Sequence, residues 1–282
     1  MKKKIIVTIK IAISLILLFL VISKIDTKKL IFLLKEINLF WLFLAFIFFN
    51  LSKIVSSLRL GYYFKDIKIE LDFFENLKLY YVGMFYNLFL PGGIGGDGYK
   101  VYLLKKRFKT PLFFLINATL LDRVSGLIGL IFFGGILFFF SSFANFSKEI
   151  GYLVLFISIL IYPIFLYIHK RLFKRFLLYL KETTLLGLAV QALQLVCAYF
   201  IIKALPQTNA TIDILTLFLI SSILAVLPLT IGGVGIREFT FLYGFKLINQ
   251  EPATGVAFAF LFFLITLISS AIGIFFIHKM IK

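Results

Sequence analysis

Long apolar runs separated by short charged segments dominate the chain. Six of the runs approach the roughly 20 residues that an α-helix needs to cross a bilayer, and we predict that each is a transmembrane helix. The first follows three consecutive lysines, as in a signal peptide, but no small-residue cleavage site comes after it, so we interpret it as an uncleaved span. The six predicted spans are 5–22, 39–58, 124–140, 152–168, 185–202 and 256–277.

Two further apolar runs, 77–90 and 214–227, end at turns rich in glycine and proline. Between Gly96 and Lys105 a helix rises about 13 Å, close to half of a hydrocarbon core of roughly 30 Å. We therefore predict that each run begins a re-entrant hairpin of two half-helices that turns near the middle of the membrane. The flanking segments indicate that the two hairpins enter from opposite faces.

The two turns share the pattern L-P-x-x-I-G-G-x-G-x-K/R, at 90–100 and 227–237. With three crossings beside each hairpin, the second half would be inverted relative to the first. We predict an all-α polytopic membrane protein with about six transmembrane helices and two re-entrant hairpins, forming one domain over 1–282 with pseudo-repeats at about 1–141 and 150–282. Interrupted helices at corresponding positions of inverted halves indicate a substrate site near the bilayer midplane.

The interrupted helices supply most of the candidate substrate-binding residues. Backbone that leaves a helix within hydrocarbon must be buried in protein or line a polar cavity. A half-helix that starts there directs its N–H groups and the positive end of its dipole into the cavity, which favours an anion such as phosphate. The alternative is that the glycines only permit tight turning and close packing. The candidates are Gly95, Gly96, Asp97, Gly98, Lys100, Gly232, Gly233, Gly235, Arg237 and Glu238, with Pro91 and Pro228 as structural turns.

Asp122 and Arg123 interrupt the apolar stretch 111–140. A charge at the bilayer centre is costly, so we expect both to face a cavity or a partner, and the forked guanidinium of Arg123 suits a phosphate. The alternative is that they mark the cytoplasmic end of a span beginning at 124. Lys53 lies near the end of the second predicted span, where snorkelling explains it, and Arg59 belongs to the basic linker that follows.

Composition and charge support a membrane location. Hydrophobic residues make up 61% of the chain and charged residues 15%, which excludes a soluble globular domain. The net charge of +17 is concentrated in short basic linkers, a pattern that indicates the cytoplasmic membrane with both termini inside rather than a nucleic-acid partner. The single cysteine and the two histidines form no metal-ligand cluster, and no ATP-binding loop is visible. We therefore expect no cofactor or metal.

Three motifs together resemble the flippase-like family that contains the lysylphosphatidylglycerol synthase transmembrane region. They are the runs 90–100, 121–127 and 227–238, and the resemblance covers nearly the whole chain. The family includes the membrane half of multiple peptide resistance factor-type proteins, which moves aminoacylated phosphatidylglycerol between leaflets, and stand-alone proteins implicated in the handling of phospholipids or polyprenyl-phosphate lipids. The resemblance therefore implies movement of a lipid of one of these kinds. It also places Asp97, Lys100, Asp122, Arg123, Arg237 and Glu238 near the headgroup path. No aminoacyl-transfer domain follows residue 282, so we expect a stand-alone form that does not synthesise lysyl-lipid.

The leading functional prediction is translocation of an anionic phospholipid or polyprenyl-phosphate-linked lipid, of the flippase or scramblase type. Its partners would be lipids with anionic headgroups, together with a second copy of the chain or a separate lipid-modifying enzyme. Two alternatives stay open. One is a transferase acting on a lipid phosphate, with Asp97, Asp122 or Glu238 as acid or base, although no catalytic or nucleotide-binding motif is visible. The other is an ion-coupled carrier of a small anion.

Overall fold

The computed structural model describes residues 2–89, 95–206, 210–226, 230 and 233–280, with backbone only for 2–10, 89 and 278–280. Within these ranges the regular structure is helical and contains no strand. Short 3-10 turns occur at Ser142–Phe146 and Lys174–Phe176. The α-helices are α1 (Lys2–Ile22), α2 (Thr27–Lys35), α3 (Leu39–Asp66), α4 (Phe73–Phe89), α5 (Gly95–Arg107), α6 (Leu112–Phe140), α7 (Lys148–Leu172), α8 (Leu180–Ala204), α9 (Thr211–Val226), α10 (Ile236–Leu247), α11 (Pro252–Ala271) and α12 (Ile274–Met280).

Five helical segments of the described chain are long and apolar enough to cross a membrane. They are α3, α6, α7, α8 and the segment Pro252–Ile277, which joins α11 to α12. Each contains one of the predicted spans, and the remaining predicted span lies in α1, which has 21 residues. The fold is therefore the all-helical, polytopic membrane architecture that the sequence predicts.

The predicted boundaries of two spans were wrong. The second span does not end at 58, because α3 continues to Asp66, and the third does not start at 124, because α6 begins at Leu112. About 15 Å of α6 therefore precedes Asp122. Both predictions placed a boundary next to a charged residue, at Arg59 for the second span and at Arg123 for the third. In the structure those charged residues pair with one another or face a cavity, so the helices continue through them.

The four helices beside the two glycine-rich turns are short. α4 has 17 residues, α5 has 13, α9 has 16 and α10 has 12, so each is about 18–25 Å long and shorter than the roughly 30 Å hydrocarbon core. α4 packs against α5, and α9 packs against α10. Pro91, Pro228 and Gly232 lie outside the described residues. The depth at which these hairpins turn stays a prediction.

Several of the contacts between helices come in matching pairs, and the most extensive single contact joins α3 to α8. If α3 and α8 are equivalent helices of two related halves, each remaining contact of one half should have a counterpart in the other. The observed pairs are α3–α4 with α8–α9, α4–α5 with α9–α10, α5–α6 with α10–α11, α6–α8 with α11–α3, and α6–α9 with α11–α4. These five pairs agree with the predicted pseudo-repeats, and the division itself stays a prediction.

Three of the candidate glycines have a clear geometric reason to be glycine. A Cβ at Gly96 would collide with the carbonyl oxygen of Gly83, so Gly96 permits the close contact of α5 with α4. Gly233 and Gly235 have φ values of +80° and +86°, a region that favours glycine. A Cβ at Gly235 would also lie 2.9 Å from the Cβ of Leu17 in α1. Helix packing and turn geometry thus account for these residues.

Substitution of two neighbouring glycines in α5 should change stability in opposite directions. Gly96→Ala forces a methyl group into backbone and should lower the free energy of unfolding by about 1–3 kcal/mol. Gly98→Ala meets no atom within 4 Å and should be neutral or stabilising by up to about 1 kcal/mol, because alanine favours the helix. Thermal unfolding of the two variants in detergent measures the difference. Equal melting temperatures would contradict the close contact of α4 with α5.

Candidate functional site

A partly open cavity of about 290 Å³ lies between the two predicted halves of the chain. Helices α3, α4 and α6 line it from the first half, and α8, α9, α10 and α11 line it from the second. Four of the five charged side chains in the lining are cationic. The charged residues are Lys53, Arg59, Asp122, Arg123 and Arg237. We refer to this space as the cationic cavity.

Arg59 and Asp122 form a buried ion pair that connects α3 to α6. The Arg59 Nε donates to Asp122 Oδ1 at 2.8 Å, and Nη2 donates to the main-chain oxygen of Asp122 at 2.9 Å. The side chain of Arg59 is only 4% exposed, and its Nη1 has no hydrogen-bond partner among the described residues. Gly126 of α6 and Gly187 of α8 border the guanidinium. Arg59 is thus held in place by Asp122, with its Nη1 buried and unpaired within the described part of the chain.

Asp97 brings together three of the candidate residues. Its Oδ1 accepts a hydrogen bond from Lys100 Nζ at 3.1 Å, and its Oδ2 forms an ion pair with Arg123. Lys100 is buried beneath the ring of Tyr80, with Nζ 4.7 Å from the ring centroid. Of these three residues only Arg123 lines the cationic cavity. Asp97 therefore links α5 to α6, and it orients Arg123 although Asp97 itself is not part of the cavity lining.

Arg237 reaches the same cavity from the second hairpin. Its Nη1 donates to Ser222 Oγ at 2.9 Å, and the guanidinium carbon lies 4.9 Å from the ring centroid of Phe262. All 13 Asp and Glu residues of the chain lie within the described ranges, and Arg237 forms an ion pair with none of them. The charge of Arg237 is left without a direct carboxylate partner.

The N-terminal ends of the half-helices are already capped by side chains. In α10 the main-chain N–H of Gly235 donates to Glu238 Oε2 at 2.8 Å, so Glu238 caps its own helix. In α5 the N–H of Gly96 donates to Asn87 Oδ1 at 2.8 Å. These contacts use backbone donors that the sequence argument assigned to an anion. The donors that face the cavity are therefore side chains rather than helix ends.

The structure separates the candidate residues into two groups. Asp122, Arg123 and Arg237 line the cationic cavity. The residues that support it from outside its lining, or lie away from it, are Gly95, Gly96, Asp97, Gly98, Lys100, Gly233, Gly235 and Glu238. Gly232 lies outside the described residues.

Lys53 and Arg59 are cavity residues that the sequence reasoning missed. The Lys53 Nζ lies 4.5 Å from the ring centroid of Phe49 and forms no ion pair with any carboxylate of the chain. The snorkelling explanation was wrong because α3 runs well beyond Lys53. Ser52, Ser56 and Arg59 follow the i, i+4, i+7 spacing of a single helix face. That polar stripe was the available signal for a buried polar site.

The cationic cavity falls entirely within a region similar to known membrane proteins. The family model of the lysylphosphatidylglycerol synthase transmembrane region matches residues 7–273. A UPF0104 membrane protein of Methanocaldococcus jannaschii is 29% identical over 218 residues, which cover 66% of this chain and 89% of that protein.

Removal of one member of the Arg59–Asp122 pair should strongly destabilise the protein. Asp122→Ala leaves a buried guanidinium uncompensated and should lower the free energy of unfolding by about 3–5 kcal/mol. The double variant Arg59→Ala with Asp122→Ala should lose less than the sum of the single losses. Denaturation in mixed micelles measures all three variants.

The exposed ion pair between Arg107 and Glu75 provides the control. Arg107→Ala should cost less than about 1 kcal/mol, because water screens that pair. If Asp122→Ala costs no more than Arg107→Ala, the pair does not stabilise the contact between α3 and α6.

Proposed function

The chain belongs to the family of the lysylphosphatidylglycerol synthase transmembrane region, and from this premise we propose that it moves an anionic lipid between the two leaflets of the cell membrane. The proposed activity is that of a flippase or scramblase. The lipid headgroup would cross through the cationic cavity while the acyl chains remain in the bilayer. The orientation with both termini in the cytoplasm, which rests on the distribution of Lys and Arg, is part of the same proposal.

The observation that carries the proposal is the charge of the cationic cavity. Lys53 and Arg237 face it without a carboxylate in ion-pair distance, and Arg59 keeps an unused Nη1. A charge held inside a membrane protein without a partner costs several kcal/mol. An anionic headgroup that enters the cavity would offset this cost. The ligand class that best complements the lining is therefore a phosphate-containing lipid.

An apolar groove beside the cavity supports a lipid rather than a soluble anion. It lies between α3 and α11 and includes Phe46 and Leu261. Phe46 is about one helical turn before Phe49 of the cavity, and Leu261 is adjacent to Phe262, whose ring contacts that of Phe49 with centroids 5.7 Å apart. A lipid could thus place its headgroup among the cations and an acyl chain along the groove.

The two halves of the chain both contribute to the cavity, which suits transport. In transporters built from inverted repeats, the substrate site lies at the repeat interface, and the halves rock about it to open alternately to each side. Arg59 and Arg123 come from the first half and Arg237 from the second. A movement of one half relative to the other would change the access to the headgroup.

The transferase alternative gains no support from the carboxylates. Asp97 and Asp122 are held in ion pairs, and Glu238 caps α10. A general acid or base has to reach the reacting proton, and each of these groups is already engaged elsewhere. We therefore retain lipid translocation as the proposed function.

Purified protein in liposomes should accelerate the exchange of chain-labelled anionic lipids between leaflets. A fluorescent probe on one acyl chain of phosphatidylglycerol or phosphatidic acid, quenched from outside by dithionite, measures the rate. Arg237→Ala and Arg123→Ala should each lower it about tenfold or more, because each removes a charge-assisted contact worth about 1.5–3 kcal/mol. Thermal unfolding checks that the variants remain folded.

Arg171→Ala is the matched control, because Arg171 lies exposed at the C-terminal end of α7. It should exchange lipid at the wild-type rate. Exchange of both lipids no faster than in protein-free liposomes would contradict the proposed function. Wild-type rates for both Arg237→Ala and Arg123→Ala would contradict the assignment to the cationic cavity.

A further inference from the structure

We infer that the headgroup accepted by the cationic cavity is a compact phosphate monoester that carries two negative charges. This inference rests on the proposed function, since it names the substrate class of the same cavity. A phosphate diester, as in phosphatidylglycerol, carries one negative charge. Three properties of the cavity favour the monoester over the diester: its charge, the number of its cationic groups and its size.

The charged side chains of the cavity lining, taken together with Asp97, Lys100 and Glu238 next to it, carry an excess of two positive charges. Five are cationic and three are carboxylates, and the carboxylates include Glu238, which caps α10. Asp122 pairs with Arg59, and Asp97 is shared by Lys100 and Arg123. A ligand with two negative charges brings this group to neutrality, whereas a singly charged diester leaves one cation uncompensated. The five cations are Lys53, Arg59, Lys100, Arg123 and Arg237.

Three cationic groups at the cavity equal in number the three oxygens of a monoester. They are the Lys53 ammonium and the Arg237 guanidinium, which line the cavity from α3 and α10 of different halves, and the Arg59 guanidinium, whose Nη1 is buried and has no hydrogen-bond partner in the ranges that the structure describes. A terminal phosphate presents three strong acceptor oxygens, one for each of these groups. Esterification to a second alcohol removes one of the three as a charged acceptor. One of the buried donors would then lack a charged partner.

The size of the cavity favours a small headgroup. Its volume of about 290 Å³ is just below the roughly 300–1,000 Å³ that is common for ligand pockets. The rings of Tyr80, Phe49 and Phe262 form part of its wall. A terminal phosphate needs little space beyond its own oxygens, whereas a headgroup with a sugar or a large alcohol needs more.

The test compares two lipids that differ by one methyl group. Phosphatidic acid is a monoester, and phosphatidylmethanol, its methyl ester, is a singly charged diester of nearly the same size. Both carry the same labelled acyl chain and are measured in proteoliposomes at about pH 8, above the second pKa of about 6 for a phosphate monoester. We expect the wild-type protein to exchange phosphatidic acid at least about tenfold faster, the effect of one further charge-assisted contact.

Lys53→Gln removes one of the two unpaired cations and should abolish most of this preference. Its control is Lys106→Gln, since Lys106 is exposed at the end of α5 and should leave the preference unchanged. The comparison of the two lipids in the wild-type protein keeps the inference falsifiable if Lys53→Gln fails to fold.

Each outcome has a distinct meaning. Equal exchange of the two lipids overturns the inference and leaves the proposed function intact. Exchange of neither lipid, in liposomes shown to contain folded protein, overturns the proposed function itself. Radiolabelled inorganic phosphate provides the remaining arm: its protein-dependent uptake without lipid exchange would show that the phosphate recognised is soluble, and would overturn the assignment to a lipid.

Discussion

The ion pair between Arg59 and Asp122 connects two long apolar helices at positions where each needs a partner for a charge. Moving two ions out of water costs several kcal/mol per ion, and close geometry with additional hydrogen bonds is needed to offset this cost. Here the guanidinium satisfies both the carboxylate and the main-chain oxygen of Asp122. Gly126 and Gly187 leave room for it between α6 and α8. The cationic cavity depends on this arrangement, because it fixes α3 against α6 and keeps Nη1 of Arg59 free.

The net charge of +17 belongs to two populations of cations with different physical roles. Basic residues in the short connections, such as Lys105 and Lys106, sit at exposed helix ends and suit the orientation of the chain in the membrane. Lys53, Arg123 and Arg237 instead line a cavity shared by both halves of the chain. In the proposed function, an anionic lipid headgroup would supply the negative charge that these cations lack.

The sequence was sufficient to locate the long apolar helices and the ends of α4 and α9, because both follow from local properties of the chain, but it did not predict α2. Apolar runs predict the spans, and glycine with proline predicts where α4 and α9 end. The cavity was only partly predictable. The sequence alone gives no sign that a charged residue has a distant partner. Arg59 was therefore assigned to a linker and Lys53 to the end of a span. In the structure α3 continues to Asp66, and Arg59 pairs with Asp122, which is 63 residues away and so outside any local pattern of the sequence. Likewise, hydrogen bonding identifies Glu238 as a helix cap.

An experimental structure of the protein in lipid nanodiscs that contain phosphatidic acid would test the central claim most directly. The measured quantity is the position of the bound lipid phosphate relative to Lys53 and Arg237. Our account predicts phosphate oxygens within hydrogen-bond distance of Lys53 Nζ and of the Arg237 guanidinium, with an acyl chain along the groove between α3 and α11. A phosphate bound instead in the separate cavity beside α2, lined by Lys29 and Glu251, with the cationic cavity holding only water, would contradict it.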